Sequence, residues 1–131
     1  MTPASSLLDP ASNAALYVST VLTFYVDLPE TPLRANAQDQ RIARQWFDRR
    51  IDLSLVETAL LLGSLRRLVR PPDVPSLTRI RSLAYFQPVI DELRDNPVPA
   101  GYLQYLRIKL RSVVDHGEPS DVQKTTFSDD R

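Results

Sequence analysis

Arginine, and neither histidine nor cysteine, is the residue type through which this sequence could do chemistry. Ten arginines lie between positions 34 and 81 against five acids, a local net of +5. From Asp115 onward five acids face only Lys124 and Arg131, a local net of −3, so that the whole chain is neutral. A basic middle suits a polyanion, and an acidic tail can attract that middle or a different partner. Of 16 basic residues only Lys109 and Lys124 are lysine. Guanidinium groups favour bidentate contact with phosphate or carboxylate, although a GC-rich coding sequence gives the same bias. Other chemistry is poorly supplied. With no cysteine, disulfides, thiolate metal sites and a thiol nucleophile are excluded. His116 is the single histidine, and Asp115 and Glu118 beside it do not make a ligand spacing. It reads as a solvated side chain. Asp91 and Glu92 fall on different helix faces, and Gly63, Gly101 and Gly117 do not cluster into a phosphate-cradling loop. A binding protein with no catalytic residue, metal or cofactor is therefore expected.

The arginines need elements to hold them. At 131 residues, 43% hydrophobic and 24% charged, the chain has the composition of one folded domain. Residues 40–69 read as two helices on a turn too short for anything but close packing, an arrangement like a helix-turn-helix. Ile42, Trp46 and Phe47 stripe the first helix, and Asp48, Arg49, Arg50, Ile51 and Asp52 interrupt it. Leu55, Val56, Ala59, Leu60 and Leu62 stripe the second, with Arg66, Arg67 and Arg70 at its far end, where they suit the helix dipole. Asn36 or Asp39 can cap the first helix, and Ser54 with Glu57 has the spacing of a capping box for the second. Gly63, inside that helix, marks a close approach.

Residues 13–26 are rich in Val, Thr, Tyr and Phe, which favours a strand locally. Helix is the better reading, because no second strand is present to satisfy its ladder. This apolar run contains Ser19, Thr20 and Thr23 and is too short to span a bilayer. Pro71, Pro72 and Pro75 force an extended link. Ser82 can cap the next segment, which Pro88 either kinks or splits, while Leu83, Phe86, Val89, Ile90 and Leu93 keep one apolar face. A last helix over residues 100–114 buries Tyr102, Leu103, Leu106, Leu110 and Val113. The expected fold is all-α, a compact bundle of four or five helices over residues 12–114 containing the helix-turn-helix-like pair. Residues 1–11 form a flexible leader and 115–131 a disordered acidic tail with too little apolar surface to order itself. Trp46, Phe47, Leu60, Phe86, Ile90, Leu106 and Leu110 should share the core. No signal-like start is seen, which favours the cytoplasm, and no membrane association is expected.

Two stretches, WFDRRIDLSLVETALLLG and IRSLAYFQPVIDEL, cover about a quarter of the chain. In their order they resemble the small helical modules of the DnaD-like type found beside replication-initiation and primosome functions of plasmids and mobile elements. The resemblance implies nucleic-acid binding combined with self-association. On that reading the protein is a DNA-associated accessory factor of replication or of a mobile element. Phosphate would be contacted through some of Arg41, Arg44, Arg49, Arg50, Arg66, Arg67 and Arg70. The alternative is a protein-interaction module without nucleic acid, a homodimer or partner adaptor, using Trp46, Leu61 and Leu65 as its surface.

Overall fold

The computed structural model describes residues 13–69 and 78–115. The segment at 13–26 is helical: α1 (Ala14–Val26) is capped by Asn13, whose side chain accepts from the Leu16 N–H at 3.1 Å. Thr20 and Thr23 donate their hydroxyls to carbonyls one turn back, at 2.7 and 3.0 Å, so these β-branched residues sit in a helix without stranded polar groups. Tyr17, Val21 and Tyr25, four residues apart, point inward.

Both candidate caps of the next helix act together. In α2 (Ala37–Asp48), Asn36 accepts from the Asp39 N–H at 2.9 Å and Asp39 accepts from the Asn36 N–H at 3.0 Å. Asp39 is only 1% exposed, and its second oxygen accepts from the Leu83 N–H at 2.9 Å, which ties the start of α2 to a distant part of the chain. At the other end α2 stops in a Schellman motif. The Ile51 N–H donates to the Trp46 carbonyl at 3.0 Å and the Arg50 N–H to the Phe47 carbonyl at 2.9 Å, with Arg50 left-handed at φ 60°. Ile51 and Trp46, at the two positions whose apolar contact commonly accompanies this turn, are both buried.

The following helix, α3 (Leu53–Leu68), is the centre of the molecule. Val56, Ala59, Leu60, Leu62, Gly63 and Leu65 are buried around most of its circumference, as befits a helix apolar on more than one face. The expected Ser54–Glu57 capping box does not form. The helix starts two residues earlier, with Asp52 at the N-cap making no side-chain bond, and Glu57 instead meets Arg107 through two bonds of 2.9 and 2.8 Å. Nor is the α2–α3 pair packed closely on itself. The short turn is present, but α2 lies mainly on α1 and a later 3-10 turn, whereas α3 lies on α1 and on the two C-terminal helices.

That 3-10 turn (Leu83–Phe86) runs directly into α4 (Gln87–Asp95), so Pro88 splits the segment and sits in the first helical turn, where no N–H is needed. Ser82 caps the turn by accepting from the Ala84 N–H at 3.0 Å. The last helix is α5 (Tyr102–Asp115). Phe86 lies on Gly63, where an added Cβ would stand 2.8 and 2.9 Å from two ring atoms. Trp46, Leu60, Phe86, Ile90, Leu106 and Leu110 are buried as expected, while Phe47 is half-buried with its edge on the Tyr17 ring at 5.3 Å. The described residues thus form five helices and a 3-10 turn, with no strand among them. The leader, the proline link with Arg70, and the tail from His116 lie outside the described residues.

Candidate polyanion-binding face

Three of the seven arginines expected to meet phosphate are engaged within the fold. Arg67 donates to Glu30 at 3.0 and 2.9 Å and to the Thr78 carbonyl at 2.6 Å, and it lies over the Tyr85 ring. Burial works against its charge, but the bonds to Tyr85 and Glu30 outweigh that and hold its pKa up. Glu30 itself is left-handed, at φ 65°, and its carbonyl accepts from the Ile80 N–H at 2.9 Å. Arg67 therefore fastens the end of α3 to two loops. Arg66 makes a two-bond fork with Glu92 of α4, at 2.9 and 2.7 Å. That bond pulls the Glu92 carboxyl below its ordinary value. Arg44 pairs one turn along with Asp48 at 3.0 Å and lies over the Phe47 ring. The ion pairs of Arg67, Arg66 and Arg107 join acids 26 to 50 positions away, so no local pattern announces them.

Arg41, Arg49 and Arg50 behave differently. All three are exposed, and among the described residues none forms an ion pair. Arg41 on α2 and Arg49 at its C-cap continue the face of Gln38 and Gln45, at the 3–4–4 spacing of neighbouring helical turns. Between this face and the 3-10 turn lies a cleft of about 430 Å³ lined by Gln38, Arg41, Ile42, Gln45, Ala84 and Gln87, with no carboxylate among these residues. The acids of α2 are elsewhere, Asp39 buried in its cap and Asp48 on Arg44. The glutamines escaped a reading directed at charge, though their spacing was visible. Arg50 stands at the α2–α3 turn beside a second cleft of about 570 Å³, lined by Tyr17, Phe47, Asp48, Ile51, Asp52 and Leu53 as well. There the Tyr17 hydroxyl donates to the Ile51 carbonyl at 2.6 Å, and burial, with the charge of Asp52 second, pushes its pKa up.

The residues proposed for a partner surface do not make one. Trp46 is 0% exposed and donates its indole N–H to Gln87 at 2.8 Å, so it anchors α2 to α4 inside the fold. Leu65 is buried in the same core, and Leu61 is half-buried against it. Their apolar character is used by the chain itself. Among the described residues no helix is long and apolar enough to cross a membrane, and no group of three His, Asp or Glu side chains is placed to hold a metal ion. No family model, curated protein or solved structure matches the chain.

Proposed function

We propose that the solvent face of α2 binds the phosphates of a nucleic acid, giving the protein a non-catalytic, DNA-associated accessory role. The observation that carries this reading is the acid-free run Gln38, Arg41, Gln45, Arg49, whose guanidiniums take no carboxylate among the described residues. Arginine and glutamine are both phosphate donors, and contacts from one helix face to a backbone position a protein without reading bases. Arg50 at the adjoining turn extends the run. Arg66 and Arg67 leave the proposal, because withdrawing them would break the ties of α3 to α4 and to the Glu30 loop.

Fluorescence anisotropy with labelled duplex and single-stranded DNA over a salt series is the test. Binding should be weakly selective for sequence, with a log–log salt slope of about −2 to −3, as two or three phosphate contacts give. Replacing Arg41, Arg49 and Arg50 together by Gln should flatten the slope and weaken binding while leaving the circular dichroism spectrum unchanged. Absence of binding at low salt, or binding indifferent to the triple replacement, would remove the α2 face from consideration.

A further inference from the structure

Over its whole length α1 carries no charged side chain, and it turns only part of its apolar surface inward. Val18 and Leu22, one turn apart on α1, are partly exposed at the edge of the core. With Leu33, which is 71% exposed, and the small side chain of Ser19 they line a shallow groove of about 730 Å³ beside α2. The charged residues of this lining are Arg34 and Arg44, and it contains no acid. Arg44 is already steadied there, since its Nε donates to Asp48 at 3.0 Å while 58% of its side chain stays exposed. Its terminal nitrogens take no carboxylate among the described residues.

We propose that this groove docks an acidic amphipathic helix of a protein partner, with its leucine-type stripe against Val18, Leu22 and Leu33 and its carboxylates on Arg34 and Arg44. Val18 and Leu22 have the one-turn spacing at which a docked helix places its own anchors, and Ser19 between them lets it come close. The lining selects the partner's charge. It holds two guanidiniums and no acid, and although Arg44 shares its Nε with Asp48, Arg34 is unpaired among the described residues. The rim therefore attracts carboxylates and steers their approach, while an arginine held in advance loses less freedom on binding. A second copy of this chain would set one cationic, acid-free rim against another, which charge repulsion opposes. Phosphate would gain nothing from the apolar floor. The groove uses none of the four residues of the α2 stripe, so the two proposals stand or fall separately.

The probe is a fluorescein-labelled synthetic helix with leucines along one face and glutamates flanking them, titrated into the full chain and followed by anisotropy. Saturable binding is expected, weakened roughly tenfold, the effect of one lost anchor, by Leu33→Asp or by Arg34→Glu. Both positions are exposed, so neither replacement threatens the fold. A control peptide with lysine in place of every glutamate should bind more weakly by a similar factor. Equal affinity for the lysine peptide, or indifference to both replacements, would overturn the proposal. Two other occupants would also overturn it. A dimer in sedimentation equilibrium that Leu33→Asp dissociates would give the groove to a second copy. Shifts of the Leu22 and Leu33 methyl resonances on replacing Leu7 and Leu8 by Ser, without peptide, would give it to the chain's own N-terminal segment.

Discussion

Arg50 occupies a backbone position that glycine usually fills. In the left-handed region its Cβ crowds the neighbouring carbonyl, at about 1–2 kcal/mol, and the Schellman bonds from Arg50 and Ile51 hold it there nonetheless. Strain kept at an exposed arginine beside a cleft is consistent with use of that side chain. Arg50→Gly should therefore stabilise the fold by about 0.5–1 kcal/mol, less than the strain relieved because glycine also loosens the unfolded chain. The same variant should bind DNA more weakly. A denaturation midpoint that falls would refute the strain, and one that rises with DNA affinity intact would separate strain from function. The sequence showed where this arginine and its neighbours lay, but not which arginines were spoken for. Arg44 could be matched to Asp48 one turn away. Arg66, Arg67 and Arg107 could not, since their acids arrive from other elements.

At the scale of elements, local signals read well where the physics was local. The Asn36–Asp39 cap, the Ser82 cap and the split at Pro88 each depend on groups within a few residues. The Ser54–Glu57 box had the same local logic and failed: the helix starts at Leu53, which leaves Ser54 inside its first turn, and Glu57 is paired by two bonds with Arg107 on α5. Gly63 tests the contact that joins α3 to the 3-10 turn. Gly63→Ala would gain about 1 kcal/mol of helix propensity but drive a methyl against the Phe86 ring. That ring is fully buried and boxed by the edges of Tyr25 and Tyr85 at 6.3 and 5.1 Å, so it has little room to retreat. Overpacking should dominate, for a net loss of about 1–2 kcal/mol. An unchanged denaturant midpoint would show that Phe86 moves freely.

Over the whole molecule, alkaline pH acts on two tyrosines that bridge α1 to the rest. Burial raises both above their ordinary value of 10.0, with Asp52 adding to the effect at Tyr17 and Asp39 at Tyr25. The Tyr25 hydroxyl is buried with no hydrogen-bond partner among the described residues. A pKa raised by folding means that the native state holds its proton more tightly than the unfolded chain. The stabilisation is complete below pH 10 and is lost as pH climbs above it. Tyrosinate absorbance should accordingly appear together with loss of helix, and a Tyr17→Phe/Tyr25→Phe chain should resist base better relative to its own stability at neutral pH. Tyrosinate absorbance complete before any helix melts would contradict the burial. The sequence by itself determined the all-α class, five of the helical segments with their main breaks, and most of the core, because periodicity and proline act within a turn or two. Only the tertiary structure decided that α3 is central, that Trp46 is spent inside the fold rather than on a partner, and that Arg66, Arg67 and Arg107 are taken by acids of other elements while Arg41, Arg49 and Arg50 are not. Those outcomes rest on contacts 26 to 50 residues apart, and a guanidinium's availability depends on which carboxylate the fold carries to it.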